Sequence, residues 1–176
     1  MKKKDDDLFF YVAGGLIAAM FFLKRKRIAS AIESNVVNPV METIEQYTNR
    51  ELYKPLFRAV ENLHGMPAGL LERVAEQESS FLDSVITGSK KSSAGAVGIM
   101  QIVPKWHPDV NPYDPVASIQ YAGKYLKSLY KSLGNDWTKA LAAYNWGIGN
   151  VQKYGMTKLP TETKNYVEKI TSDIPV

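Results

Sequence analysis

The carboxylate of Glu78 stands apart from its acidic neighbours because of its position on a predicted helix. Hydrophobic periodicity predicts a helix over residues 68–79, with one apolar stripe formed by Leu70, Leu71, Val74 and Ala75. Glu78 continues this stripe, whereas Glu72 and Glu76 fall on other faces and are predicted to be solvated. Partial burial and the negative end of the helix dipole both raise the pKa of such a carboxyl toward that of a general acid. Periodicity alone also fits a structural glutamate that is paired with a backbone group or a lysine.

Two glycine-containing strings further along the chain carry polar and aromatic residues that could bind a sugar. In residues 95–104 (GAVGIMQIVP), two glycines permit close backbone approach and the one polar side chain is Gln101. In residues 142–151 (AAYNWGIGNV), a helix runs into a glycine-rich turn that presents Tyr144, Asn145 and Trp146. Each string also fits a purely structural interpretation, the first as a packed helix start and the second as a helix C-cap with core aromatics.

Four short motifs, taken together, resemble those of the SLT (soluble lytic transglycosylase) family. They occur in order as Glu78-Ser79-x-Phe81, then residues 95–104, residues 142–151 and residues 162–167 (ETKNYV). The resemblance covers residues 53–170 and includes a Tyr-x-Pro-Leu opening. It implies a mainly α, goose-type lysozyme-like fold with a groove for a glycan strand, and activity as a peptidoglycan lytic transglycosylase.

The same resemblance implies roles for individual residues. Glu78 matches the family's single catalytic acid and base, and Tyr166 matches the tyrosine beside it. The positions that match substrate-contacting residues are Ser79, Met100, Gln101, Tyr144, Asn145 and Tyr166. Trp146 departs from the family, which often has a small residue there, and either adds a stacking surface or narrows the groove. The loop at residues 106–109 is short and leaves little room for specificity loops.

The chemistry that the resemblance implies needs only one carboxylate, whereas ordinary glycosidases use two. Glu78 would protonate the leaving oxygen of the MurNAc–GlcNAc bond and then accept a proton from the 6-hydroxyl of MurNAc, closing a 1,6-anhydro ring. One alternative is a hydrolytic muramidase, whose second carboxylate would come from Asp83, Asp109 or Asp114. Asp114 is already explained as a helix cap, and Asp83 is predicted to lie in a loop. Another alternative is a non-catalytic glycan-binding module, which would have no need of a buried acid.

The elements that must position these residues are predicted to be short helices, which makes the fold class mainly α. Pro55 and Pro67 are each assigned to a first helical turn, and Gly65 to a helix end. Asp114 and Asp136 are predicted to cap the next two helices, the first ending at Gly134 and the second running through Tyr144. The only predicted strand is a short stretch at residues 85–87.

Composition excludes several function classes. The chain has 22 Lys and Arg against 18 Asp and Glu, but the excess lies within residues 1–30, so the globular part is neutral and nucleic-acid binding is not expected. Cysteine is absent, which excludes disulfides and thiolate chemistry. His64 and His107 have no metal-ligand spacing, so we predict neither a metal site nor a cofactor.

An apolar run at residues 8–23 predicts an uncleaved transmembrane anchor, because basic residues follow it directly where a signal peptide would need a small-residue cleavage site. The predicted organisation is an anchor with charged flanks at residues 1–27, a helical stalk at residues 28–50 and a catalytic domain at residues 51–176. The stronger basic cluster, at residues 24–27, would place the domain on the cytoplasmic side, away from peptidoglycan. Either the triplet at residues 2–4 dominates, or the membrane is an internal virion layer. The expected setting is local opening of the cell wall. Phage genome entry is the preferred expectation, and a conjugation or secretion apparatus is the alternative.

Overall fold

A computed structural model describes residues 34–35 and 38–176 of the chain. Residues Glu45–Val176 form one compact unit, in which the only β feature among the described residues is an isolated bridge between Val97 and Ile102. The described part of the other unit, Met1–Ile44, is mostly the first turns of a helix, where the Thr43 hydroxyl donates to the Pro39 carbonyl over 2.8 Å. The predicted apolar anchor at residues 8–23 lies outside the described residues. Within the described part of the chain, no helix is both long enough and apolar enough to cross a membrane.

Seven α-helices and one short 3₁₀ helix make up the described fold. In chain order the α-helices are α1 Asn38–His64, α2 Leu70–Ser79, α3 Asp83–Ile86, α4 Pro115–Ser132, α5 Trp137–Trp146, α6 Ile148–Tyr154 and α7 Thr161–Thr171, and the 3₁₀ helix is Met156–Lys158. Helix α5 lies at the centre and packs against α4, α6 and α7, while α2 packs against α4 and α7. Four consecutive residues of α5, from Ala140 to Ala143, are buried, as expected of a helix that has neighbours on every side. The predicted mainly α fold is confirmed.

Helix α1 corrects one prediction about proline. Pro55 lies inside this 27-residue helix and not in a first turn. A proline inside a helix removes one backbone hydrogen bond, but the carboxyl half of α1 buries Phe57 and Val60 in the core, and this tertiary packing outweighs the local preference. The predicted stop is confirmed, because Gly65 follows the helix with a φ of 59°. The predicted boundary between stalk and domain, at residues 50 and 51, falls within α1.

Helix α2 takes its N-terminal cap from another helix. The helix begins at Leu70, and its N-cap residue, Gly69, has no side chain to offer. The carboxylate of Glu61 on α1 accepts hydrogen bonds from the backbone N–H groups of Gly69 (2.9 Å), Leu71 (2.8 Å) and Glu72 (3.4 Å). Glu61 is only 2% exposed, and burial raises its pKa while the three backbone bonds lower it. A buried carboxylate therefore stabilises the positive end of the helix that carries Glu78.

The two capping predictions for α4 and α5 are confirmed. The Asp114 carboxylate accepts from the backbone N–H groups of Val116 and Ala117, and the Asp136 carboxylate accepts from that of Lys139. Helix α4 ends at Ser132, just before the predicted stop at Gly134, and α5 runs two residues past Tyr144. The Asp136 cap sets where α5 begins, and hence where its cleft-facing residues lie.

Three predictions about the region around α2 are wrong. Residues 85–87 do not form a strand, and Asp83 is not in a loop, because Asp83 opens the short helix α3. Its backbone N–H donates to Glu45 on α1 over 2.8 Å, which fixes the start of a helical turn where a strand would have found no partner. Glu72 and Glu76 are not freely solvated, since both are hydrogen-bonded ion-pair partners of Arg50, at 2.7 and 3.1 Å.

Candidate active site

Glu78 lies in the last turn of α2 and is held by a tyrosine from α7. The Tyr166 hydroxyl donates to Oε1 of Glu78 over 2.7 Å. The side chain of Glu78 is partly buried, and burial raises its pKa from 4.5 to about 7, against the opposing effect of the Tyr166 hydrogen bond. A carboxyl with this pKa is half protonated near neutrality, so it can both give and take a proton.

The turn that follows Glu78 is stabilised by Ser79. This serine is 3% exposed, and its hydroxyl donates to the Ala75 carbonyl while accepting from the Phe81 N–H. Ser80 and Phe81 have φ values of 49° and 57°, which are unusual for residues with a side chain. Ser79 thus lies beneath the end of the helix and not in an open cleft, and in this geometry it supports Glu78 indirectly.

Residues 95–104 form a tight loop whose shape depends on one glycine. Val97 and Ile102 pair across the loop through two backbone hydrogen bonds of 3.1 Å. Gly98 has a φ of 80°, and a Cβ there would lie 1.9 Å from the carbonyl oxygen of Pro112, so no other residue fits without a backbone shift. Gln101, with a φ of 45°, uses its side-chain amide to donate to the Gly98 carbonyl over 3.0 Å.

The end of α5 joins this loop to α7. The Tyr144 hydroxyl donates to the backbone carbonyl of Met100 over 2.9 Å, and the Asn145 side-chain carbonyl accepts from the Thr163 hydroxyl over 2.8 Å. Met100 is fully buried, so it contributes its backbone oxygen and its bulk to the wall of the site. Burial, followed by the nearby Glu78 carboxylate, raises the pKa of Tyr144 and of Tyr166 well above the ordinary value, and both phenols therefore remain hydrogen-bond donors.

A cleft of about 450 Å³, the aromatic cleft, is lined by the end of α5, by α4 and by the loop that follows residue 100. Its ring-bearing residues are Trp106, His107, Tyr121, Tyr125, Tyr144 and Trp146. Gln101 and Asn145 add amides to this wall. Trp146 also packs against Tyr154, with ring centroids 5.8 Å apart. Flat apolar faces with a few amides are suited to binding the faces and hydroxyl groups of sugar rings.

A second cleft of about 320 Å³, the polar cleft, contains Glu78 itself. Its other lining residues are Gln77, Asn145, Glu162, Asn165, Tyr166 and Lys169. Asn145 lines both clefts, so the two clefts adjoin at this residue and are together called the groove. Of the predicted site residues, Asn145 and Tyr166 line the polar cleft with Glu78, and Gln101, Tyr144 and Asn145 line the aromatic cleft. Met100 and Ser79 are buried and line neither cleft.

Sequence reasoning missed part of this groove. Tyr121 and Tyr125 are one helical turn apart on α4, a spacing that predicts a shared face, but nothing in the sequence indicates that this face meets the groove. The spacing of His107 predicts no metal site and indicates no other role, yet its Nδ1 lies 2.8 Å from the Tyr121 hydroxyl in the aromatic cleft. Glu162 belongs to the fourth motif, but nothing in the motif indicates that it shares the polar cleft with Glu78.

Comparison with known proteins shows the family to which this chain belongs. The sequence profile of the transglycosylase SLT domain matches residues 55–167, which is most of the chain and includes all four motifs. The chain belongs to the SLT domain family. The soluble lytic murein transglycosylase of Escherichia coli strain K12 is 29% identical to the SLT domain over 115 residues, which cover 58% of this chain and 17% of that protein.

The solved structures similar to this SLT domain include the 70 kDa soluble lytic transglycosylase of Escherichia coli. The crystal structure of that protein superposes with a TM-score of 0.55 at 27% identity, over 67% of this chain and 22% of that one. Its complex with bulgecin A matches equally well, with a TM-score of 0.55 at 26% identity over the same shares of the two chains. This chain therefore spans about a fifth of the length of its relatives, and the likeness confirms the mainly helical SLT fold.

Proposed function

We propose that this protein is a peptidoglycan lytic transglycosylase and that Glu78 is its catalytic acid and base. The observation that carries the proposal is the 2.7 Å hydrogen bond from Tyr166 to a partly buried carboxyl whose pKa is about 7. Membership of the SLT family and the names of the relatives, a soluble lytic murein transglycosylase among them, support the same activity. The bulgecin A complex of the 70 kDa relative supports a ligand groove in this fold.

The reaction begins with transfer of a proton from Glu78 to the glycosidic oxygen between MurNAc and GlcNAc. The bond from MurNAc C1 to that oxygen then breaks, and the GlcNAc side leaves as an alcohol. The N-acetyl group of the substrate stabilises the positive charge that develops at C1. Tyr166 donates a hydrogen bond that becomes stronger as Glu78 becomes negative, because a bond to a carboxylate is stronger than one to a neutral acid.

The second step uses the same carboxylate as a base. The 6-hydroxyl of MurNAc attacks C1 and gives its proton to Glu78, which restores the acid and leaves a 1,6-anhydro ring. No water is consumed, so the products together have the mass of the substrate. A pKa near 7 suits both steps, since neither protonation state of Glu78 is costly to reach at neutral pH.

The groove supplies binding and orientation. The rings of the aromatic cleft would contact the faces of the sugar rings, with Tyr144 and Trp146 nearest in the chain to Asn145, which lines both clefts. Gln101 and Asn145 would bind hydroxyl or N-acetyl groups. Buried Met100 and Ser79 act by holding the wall and the catalytic turn in place.

A hydrolytic muramidase is the second candidate, because Glu162 shares the polar cleft with Glu78. Glu162 is exposed, which suits a carboxylate that activates a water molecule. The three aspartates that the sequence offers for that role line neither cleft. Asp83 accepts a hydrogen bond from Asn49, Asp114 caps α4, and Asp109 is exposed outside the groove.

Mass spectrometry of the muropeptides released from purified peptidoglycan tests both candidates. The parent protein is compared with Glu78→Gln, Glu162→Gln and, as a matched control on the same helix, Glu76→Gln. Products one water lighter than hydrolytic ones, lost only in Glu78→Gln, are the result expected of a lytic transglycosylase. Hydrolytic products that also depend on Glu162 would favour the muramidase, and no cleavage by the parent protein would leave only a glycan-binding role.

The cellular setting is a further part of the proposal. The apolar run at residues 8–23 would anchor the protein in a membrane, with the SLT domain facing peptidoglycan. A tethered enzyme of this size suits local opening of the wall, in phage genome delivery or in a secretion machine. Fractionation of expressing cells or purified virions tests the anchor: the full chain should resist alkaline extraction, and a chain lacking residues 8–23 should be extracted.

A further inference from the structure

One face of α4 carries an uncompensated row of lysines. Lys124, Lys127 and Lys131 follow one another at helical spacing, on the side opposite the core stripe that contains Ile119, Leu126 and Leu129. Residues 115–135 contain these three lysines and no Asp or Glu. Because residues 31–176 as a whole have equal numbers of basic and acidic residues, the positive charge of this face is a local feature.

The close crossing of α1 and α4 turns this face into a cleft. A Cβ on Gly123 would lie 2.2 Å from Cγ1 of Val60, so only glycine allows the two helices to approach so closely. This approach brings His64, at the end of α1, beside the lysines. The resulting lysine cleft has a volume of about 410 Å³ and is lined by His64, Lys124, Lys127, Ser128, Lys131 and Ser132.

The charges of the lysine cleft are available to a ligand. Among the described residues, the ion pairs of the domain involve other lysines and arginines, and no carboxylate lies within 4.0 Å of the three ammonium groups. The Lys127 ammonium lies 4.5 Å from the ring centroid of Tyr130 and 5.3 Å from that of Trp137, which orders its long side chain before any ligand binds. The cleft therefore offers three ammonium groups and two hydroxyl donors to an anion with several oxygen acceptors.

We propose that the lysine cleft binds the phosphate headgroups of anionic phospholipids and docks the domain on a membrane surface. Phosphate oxygens suit clustered lysines, and such clusters are attracted to anionic bilayers. Leu63, next to His64, is 77% exposed. An exposed leucine one residue along the chain from the cleft lining suits the boundary between headgroups and acyl chains better than it suits a water-soluble phosphate polymer. This inference goes beyond murein cleavage and does not depend on it.

Amine-reactive labelling of the full chain, read by mass spectrometry, tests the proposal at each lysine. The protein is labelled on phosphatidylcholine vesicles and on vesicles that also contain phosphatidylglycerol, so a contribution from any other membrane-binding segment is present in both. Each lysine at an anionic surface contributes about fivefold to binding, and three contribute on the order of a hundredfold. We expect several-fold slower labelling of Lys124, Lys127 and Lys131 on the anionic vesicles, and recovery in high salt.

Controls within the same protein distinguish binding at the lysine cleft from a general attraction of all lysines to the anionic vesicles. Lys153 and Lys158 are exposed lysines outside the cleft and should label equally on both vesicle types. In the parent protein, the backbone amide of Leu63 should exchange its hydrogen more slowly on anionic vesicles than on phosphatidylcholine vesicles. The variant K124Q/K127Q/K131Q should lose this protection, whereas K153Q/K158Q/K164Q, with the same change in charge, should keep it. Unchanged labelling on anionic vesicles, or equal protection of the control lysines, would overturn the proposal. Equal protection by soluble polyglycerol phosphate would instead assign the cleft to a wall polymer and would also overturn it.

Discussion

Replacing Glu78 with glutamine should remove activity, and it should make the protein more stable than the parent protein at pH values above about 4.5. In the folded protein the carboxyl has a pKa of about 7, raised by burial from 4.5. The native state therefore holds a proton on Glu78 between these two pH values, whereas the unfolded chain has already lost it. The free energy of unfolding falls as pH rises through this window. The carboxyl is then ionised in the unfolded chain, so on folding it must either take up a proton or stay charged in a buried site.

The size of the effect follows from the two pKa values. At 1.36 kcal/mol for each pH unit between them, the ionised carboxylate costs the native state about 3 kcal/mol above pH 7. Glutamine has nearly the same shape, remains neutral and can still accept the Tyr166 hydrogen bond. The variant and the parent protein should therefore have the same free energy of unfolding below pH 4.5. Between pH 4.5 and pH 7 the parent protein loses stability and the variant does not, and above pH 7 the variant should stay about 3 kcal/mol more stable.

Urea unfolding at a series of pH values, followed by tryptophan fluorescence, measures this difference. The control is Glu76→Gln on the same helix, which removes a partner of the Arg50 ion pair and should lower stability by less than about 1 kcal/mol. A difference between Glu78→Gln and the parent protein that is the same at pH 4 and pH 8 would refute the reasoning, because it would mean that burial does not perturb this carboxyl.

Three further predictions concern the parts that hold the site together. Tyr166→Phe removes the hydrogen bond that lowers the pKa of Glu78, so the alkaline limb of the pH–rate profile should move up by roughly one to two pH units; an unmoved limb would contradict the assigned contact. Glu61→Ala leaves three N–H groups at the start of α2, one of them buried and two partly buried, without an acceptor and should cost about 3 kcal/mol in urea unfolding, with Glu61→Gln milder; equal stability of all three proteins would contradict the capping role. Gly98→Ala should destabilise the protein by several kcal/mol, because its Cβ would clash with a backbone carbonyl. Gly95→Ala has a similar φ but open space around its Cβ, and it should cost only about 1 kcal/mol. Similar melting temperatures for the two variants would contradict this, since they would show that the loop can move aside.

The places where sequence interpretation succeeded and failed have physical causes. The caps at Asp114 and Asp136 were predictable because a carboxylate and the first turn of a helix are local partners. Pro55 was misplaced because packing in the core outweighed a local penalty, and residues 85–87 were misassigned because side chains from α1 hold that segment as a helical turn. The ion pairs of Glu72 and Glu76 were missed because their partner, Arg50, is more than 20 residues away in the chain.

The sequence by itself determined the helical pattern, the stripe that includes Glu78 and the four motifs that match the SLT domain family, because these depend on spacing along the chain. Only the tertiary structure decided that Tyr166 lies 2.7 Å from Glu78 and that Glu61 caps the catalytic helix. It also decided that the aromatic cleft and the polar cleft share Asn145, and that Ser79 faces inward. These features join residues from different helices, and packing of the whole core, which periodicity does not specify, sets the distances between them.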